Sequence, residues 1–90
     1  MSMFESLGID RYGLRVFNAK EATIVIYGLK DMGIEIIGVD AFRITPNTTQ
    51  PIMEHDLDLS FQRGNSWEIA HEYVASKENL GLYFEFVLAD

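Results

Sequence analysis

Apolar residues recur at helical spacing in the stretch that follows Asn18. The residues that share one side of this period are Ala22, Val25, Ile26, Leu29 and Met32. Asn18 and Glu21 have the spacing of a capping box, and Gly33 stands where a left-handed cap residue ends a helix. The pattern therefore predicts a helix over residues 19–32. A strand through residues 23–27 is the alternative, since β-branched residues are frequent there.

Residues 34–44 are predicted to form the central strand of a sheet. Alternation puts Ile34, Ile36, Gly38, Asp40, Phe42 and Ile44 on one side. The other side then carries Glu35, Ile37, Val39, Ala41 and Arg43. Both sides are apolar at the centre, as expected of a strand with neighbours at both edges and a cover on one face. Gly38 and Asp40 are candidate structural residues: a bulge at Gly38 would turn Asp40 towards solvent, and otherwise this carboxylate must be buried and paired.

The remaining segments alternate between turn signals and periodic stretches. Two prolines and several polar residues predict a loop over residues 45–51, and strict alternation predicts a strand over residues 53–61. Asn65 and Glu68 repeat the cap spacing before a predicted helix over residues 66–77. Residues 82–88 alternate as a final strand. Residues 4–17 have no regular period and predict a short helical turn followed by a packed loop.

These elements predict an α+β fold with the topology α-β-β-α-β in one domain, residues 1–90. A hairpin followed by a helical crossover gives a three-stranded, mainly antiparallel sheet in the order 2-1-3, with the strand over residues 34–44 in the middle. Both helices would cover one face of this two-layer structure. The other face would carry Ile37, Val39, Ala41, Val87 and Tyr83, and Glu85 lies on the same side of the last strand as Tyr83 and Val87.

Composition narrows the function classes. The chain has 90 residues, 14 acidic and 7 basic side chains, a net charge of −7 and no cysteine. This charge opposes binding to nucleic acid or anionic membranes and favours a basic partner, although it could also serve solubility alone. The absence of a basic leader and of a long apolar run favours a cytoplasmic location.

Three carboxylates in the strand over residues 53–61 are candidate partner-binding groups. Glu54, Asp56 and Asp58 alternate and would line one face at steps of roughly 7 Å. Such a row either keeps an edge strand from pairing with other chains or receives Arg and Lys side chains of a basic protein. An apolar face rimmed by carboxylates is typical of a protein-binding surface.

No catalytic, metal or cofactor site is predicted. Glu68 and His71 have the Glu-x-x-His spacing of half a di-iron site, but the chain has no second copy and too few helices to complete one. His55 would lie on the opposite side of its strand from Asp56. The sequence contains no phosphate loop or nucleotide fingerprint.

Two stretches resemble a small bacterial immunity-protein family of polymorphic-toxin systems. Gly33 to Phe42 follows the pattern G-I-x-I-x-G-x-D-x-aromatic of that family's strand, and Tyr83 to Leu88 is similar to its terminal strand. The resemblance implies a non-enzymatic protein that binds and neutralises a cognate toxin, a basic nuclease being one such toxin, in the cytoplasm of the producing cell. A homodimer formed through the uncovered sheet face is the alternative.

Overall fold

The computed structural model describes residues 7–11, 13–61 and 64–89. In chain order, its strands are β1 (Ile9–Arg11), β2 (Leu14–Asn18), β3 (Ile36–Ile44), β4 (Thr49–Pro51), β5 (Leu57–Asp58) and β6 (Tyr83–Leu88), and its α-helices are α1 (Ala19–Asp31) and α2 (Ser66–Ser76). Two short 3-10 turns, Met53–His55 and Glu78–Leu80, precede β5 and β6. Neither α-helix has the length and apolarity that crossing a bilayer requires.

All six strands of the described residues belong to one antiparallel sheet. Its order is β1-β2-β6-β3-β4, and β5 pairs with β3 next to β4. The α+β class is confirmed. Strand β3 lies inside the sheet, with β6 on one side and β4 and β5 on the other. The prediction of a three-stranded sheet is wrong, because the sheet continues beyond β6 through β2 and β1.

The missed strands lie where a helical turn and a loop were predicted. Within the described part of residues 4–17, β1 and β2 form a hairpin, with Ile9 opposite Val16 and Arg11 opposite Leu14. Gly13, at a φ of 85°, supplies the left-handed backbone that this turn needs. The strands are only 3 and 5 residues long, so neither shows a recognisable period in the sequence.

The two helices begin differently. At α1 the predicted capping box is confirmed: the Asn18 side chain accepts from the Glu21 amide at 2.8 Å, and the Glu21 carboxylate accepts from the Asn18 amide at 3.3 Å. The strand alternative for residues 23–27 is therefore wrong. At α2 the predicted second cap is not formed, because Asn65 makes no side-chain hydrogen bond to the helix.

The segment between β3 and α2 departs most from prediction. Part of the expected loop forms β4, whose Pro51 is accommodated because β4 lies at the edge of the sheet. The predicted strand over residues 53–61 is reduced to the 3-10 turn and the two residues of β5. Hydrogen bonds of Asp56 and Tyr73 hold this turn.

A β-bulge in β3 decides which side chains enter the core. The pairing with β6 shifts register between Ile36 and Gly38, so Ile37 is the extra residue. Ile36 points into the core before the shift, and Val39 and Ala41 do so after it. The same core contains Ala22, Val25, Ile26 and Leu29 of α1, Ala70 and Val74 of α2, and Phe17 and Phe84 of the sheet. Both helices therefore pack against the side of β3 that carries Val39 and Ala41.

The sheet curls away from the helices. Strand alternation puts Val16 and Phe42 on the side without helices, yet their exposures are only 0% and 6%. An Arg11 guanidinium nitrogen donates to the Thr45 carbonyl at 2.9 Å. In a flat sheet β1 would lie about 14 Å from β3, three strand spacings away. The curl closes that distance and makes the helix-free face concave.

Candidate functional site

The helix-free face carries an arrangement that we call the acidic face, defined by Gly38, Asp40, Asp58, Glu85 and Val87. The strand register brings these five residues together. Asp58 and Val87 both lie opposite Gly38, on either side of it, and Asp40 lies directly opposite Glu85. Because alternate residues of a strand share a face, the row through Gly38 adjoins the row through Asp40 on the same side of the sheet.

A shallow depression of about 380 Å³ lies at one end of this face. The residues that line it are Ile37, Gly38, Asp40, Asp56, Leu57, Asp58, Ser60 and Val87. Val87 is 39% exposed, a high value for an aliphatic side chain in a strand that pairs with the central strand. The depression thus combines carboxylates with an accessible apolar wall, which is a typical lining for a protein-recognition site.

Asp40 and Glu85 lie directly opposite each other, and within the described residues neither carboxylate forms an ion pair. Partial burial, and then the charge of Asp56, raise the pKa of Asp40 above its ordinary value. Partial burial, and then the charge of Asp40, raise the pKa of Glu85. The ion pairs of the described residues are Arg15 with Asp10 and Lys30 with Glu68, and neither involves these two carboxylates.

Like charges directly opposite each other on paired strands are destabilising. Among the described residues, neither the Asp40 nor the Glu85 carboxylate has a hydrogen-bond partner. A cationic group placed between them would replace this repulsion with attraction. Binding of a positive charge between these two carboxylates would therefore be favourable.

The other two carboxylates near the depression have backbone partners. Asp58 accepts a hydrogen bond from the Ser60 amide at 2.9 Å, and hydrogen bonding to Ser60 lowers the pKa of Asp58. Asp56 accepts from the Ala41 amide at 2.8 Å and so satisfies a donor at the edge of β3. Asp56 thus has a structural role that the sequence pattern did not indicate.

The 3-10 turn beside Asp56 is fixed from α2. The Tyr73 hydroxyl donates to the His55 carbonyl. Burial, and then the charge of Asp56, raise the pKa of Tyr73, which favours the protonated hydroxyl that this bond needs. This contact explains why residues 53–55 turn instead of extending as a strand.

Several predicted partner-binding residues lie elsewhere. Val39 and Ala41 are 0% and 1% exposed and belong to the core, so they cannot contact a partner from the surface. The bulge at Ile37 is the cause, because it exchanges the two sides of β3 relative to simple alternation. Glu54 is exposed on the 3-10 turn. The predicted row of Glu54, Asp56 and Asp58 along one strand face is therefore not formed.

The bulge expected for Gly38 is present one residue earlier, and it turns Asp40 to the helix-free face as that prediction required. Tyr83 lies on the same face, opposite Phe42 and two residues before Glu85 on β6. Val87 was predicted on the same uncovered face as Tyr83, and it lies opposite Gly38. A residue without a side chain leaves its cross-strand neighbour uncovered.

A second groove, of about 220 Å³, lies between the two helices and includes Tyr27, Trp67 and His71. Lys30 bridges the helices by contacting Glu68 at 2.5 Å, and hydrogen bonding in this pair lowers the pKa of Glu68. His71 contacts the Tyr27 hydroxyl at 3.4 Å. Within residues 7–11, 13–61 and 64–89, no group of three or more His, Asp or Glu side chains is placed to hold a metal ion.

Comparison with known proteins identifies no relative. No protein-family model, no curated protein and no solved structure matches the chain.

Proposed function

We propose that this chain is a non-enzymatic immunity protein that binds and neutralises a basic protein toxin through its acidic face. The observation that carries the proposal is the partly buried carboxylate pair of Asp40 and Glu85, which has no partner among the residues that the structure describes, beside an accessible apolar wall. A partner with Arg or Lys side chains supplies the missing countercharge, and Val87 supplies apolar contact.

The charge of the whole chain supports the same partner class. With a net charge of −7, the protein attracts a basic partner over distances set by the ionic strength and speeds its association. Toxins that act on nucleic acid carry basic surfaces, and an inhibitor that covers such a surface is expected to be acidic. In the producing cell such an inhibitor acts in the cytoplasm.

A homodimer through the same face is a weaker proposal. The apolar residues at its predicted centre, Val39 and Ala41, lie in the core. A two-fold symmetric interface places each patch against its own copy, so Asp40 and Glu85 would meet further carboxylates. Repulsion of this kind opposes self-association, and a heterologous basic partner is favoured.

The test is binding to the product of a toxin gene next to the gene of this chain. We expect a complex with a dissociation constant at or below about 1 μM that weakens as salt concentration rises. Changing Glu85→Lys should weaken binding at least tenfold, which corresponds to about 1.4 kcal/mol.

Glu72→Lys is the matched control, because Glu72 is an exposed residue of α2 beside the groove between the helices and the substitution changes the net charge equally. It should weaken binding much less than Glu85→Lys. Equal losses for the two variants would contradict a role for the acidic face. The lack of any complex at micromolar concentration would contradict the proposed function.

A further inference from the structure

Gly38 forms the floor of the depression on the acidic face, and its backbone does not require glycine. Its φ lies outside the left-handed region that Gly8, Gly13, Gly33, Gly64 and Gly81 adopt. A Cβ atom added there would meet the Val87 Cβ at 3.4 Å and the Leu57 carbonyl oxygen at 3.5 Å, which are ordinary contact distances. The missing side chain therefore leaves space between Asp58 and Val87 that another molecule's side chain can fill.

The surroundings of this space differ along its length. Val87 and Ile37 supply apolar surface next to the glycine. One row further along β3 lies the pair of opposed carboxylates, Asp40 and Glu85. A side chain that crosses the floor would thus meet aliphatic surface first and negative charge at its tip.

We propose that the acidic face receives one arginine side chain of the basic partner, with its aliphatic stem in the depression over Gly38 and its guanidinium at Asp40, which lines the depression, and at Glu85, which lies directly opposite Asp40. The inference rests on the proposed function, since it specifies which group of the partner occupies the acidic face. Charge complementarity and the apolar wall together select this occupant, because arginine combines an aliphatic stem with a permanent positive charge.

The geometry favours arginine over lysine. A guanidinium is planar and offers five donors in a fixed fork, so it can donate to two carboxylates from opposite strands at once. An ammonium is a compact and strongly hydrated charge, and losing that hydration in a partly buried site costs more. The two carboxylates come from neighbouring strands held in fixed register, so they are preorganised for a forked donor.

The experiment uses the full chain labelled with ¹⁵N and three capped pentapeptides of sequence Gly-Val-X-Val-Gly, where X is arginine, lysine or citrulline. With arginine we expect amide shifts at Gly38, Asp40 and Val87 and a dissociation constant on the order of 1 mM. The lysine peptide should bind at least threefold more weakly, and the uncharged citrulline peptide should cause no shifts at these residues.

Three variants test the placement. Gly38→Ala fills the floor without changing charge and should weaken arginine binding at least fivefold, and Glu85→Gln should do the same by removing one acceptor charge. Glu72→Gln is the control and should leave binding unchanged. Because each spectrum also reports folding, a Gly38→Ala chain that fails to fold leaves Glu85→Gln as the deciding variant.

The inference is overturned if the lysine peptide binds as tightly as the arginine peptide, if the shifts lie outside the acidic face, or if Glu85→Gln binds like the native chain. Its failure is separate from that of the proposed function. A toxin complex that Glu85→Lys weakens, found without arginine preference in the peptides, refutes the inference alone. Arginine-selective binding of the peptide without any toxin complex refutes the proposed function alone.

Discussion

Asp56 should matter more for stability than its place in an acidic segment suggests. Its carboxylate accepts a hydrogen bond from the Ala41 amide at 2.8 Å, and Ala41 is only 1% exposed. At this point neither β4 nor β5 supplies a strand partner for that amide, because their pairing with β3 covers Phe42 to Ile44 and Gly38 to Val39. Changing Asp56→Ala leaves a donor in the sheet without an acceptor.

The size of the effect follows from the environment of this amide. A buried donor left unsatisfied costs about 1–3 kcal/mol. Some of this loss is offset, since removing the Asp56 charge also relieves repulsion on Asp40. For a chain of 90 residues, 1 kcal/mol lowers the melting temperature by roughly 4–8 °C. We therefore expect Asp56→Ala to lower the melting temperature by about 4–15 °C.

Two further variants isolate the hydrogen bond. Asp56→Asn removes the charge but retains an acceptor oxygen, so it should lose less than half as much stability as Asp56→Ala. Glu54→Ala, in the adjacent 3-10 turn, removes an exposed carboxylate and should change stability by about 0.5 kcal/mol or less.

Thermal and urea unfolding, followed by circular dichroism and by the fluorescence of the single tryptophan, Trp67, measure these differences. Hydrogen exchange adds a local measurement, because the Ala41 amide should exchange faster in Asp56→Ala than in the native chain. The reasoning is refuted if Asp56→Ala and Glu54→Ala are equally stable, or if the exchange of the Ala41 amide does not change.

Three other predictions concern the helix caps, the acidic face and the core. Asn18→Ala should cost about 1 kcal/mol in urea unfolding, and Asn65→Ala only a few tenths, because the cap bond forms at Asn18 alone. Glu85→Gln should raise stability by about 0.2–1 kcal/mol at pH 7. Burial and the charge of Asp40 raise the pKa of Glu85 above its ordinary value of 4.5, so the native chain loses stability as pH rises through the raised pKa. Below pH 4.5 Glu85 is protonated in both the folded and the unfolded chain, so Glu85→Gln should no longer be more stable than the native chain in melts at such pH. Val39→Glu should unfold the chain, as seen by circular dichroism, because it puts an unpaired charge in the core; a folded variant would contradict the register of β3.

Long periodic elements were predictable from the sequence, and short or interrupted ones were not. Helix α1 is 13 residues long, its apolar residues recur at helical spacing and its capping box is complete, and these are local properties. The β1–β2 hairpin consists of strands of 3 and 5 residues, and β2 is stabilised by pairing with β6, more than 60 positions later in the chain. Distant pairing of this kind has no local pattern.

The segment around Asp56 shows a second limit. Its alternation of apolar and acidic residues is real, but side-chain bonds to the distant Ala41 amide and from Tyr73 bend it into a turn. The composition of the candidate site also depends on contacts between residues that are distant in the sequence. Charge and composition predicted an acidic surface, and the pairing of strands determines that Asp40, Asp58 and Glu85 share one face while Val39 is buried.

The extra residue in β3 also affects how distant relatives of this chain can be recognised. Deleting Ile37 would restore regular pairing with β6, but every side chain from Gly38 to Ile44 would then move to the opposite side of the sheet. Asp40 would enter the core, and Val39 would leave it. A relative that lacks this residue must therefore carry its apolar and acidic positions in the reverse order, so an alignment that treats the gap as neutral would match core residues of one protein to surface residues of the other.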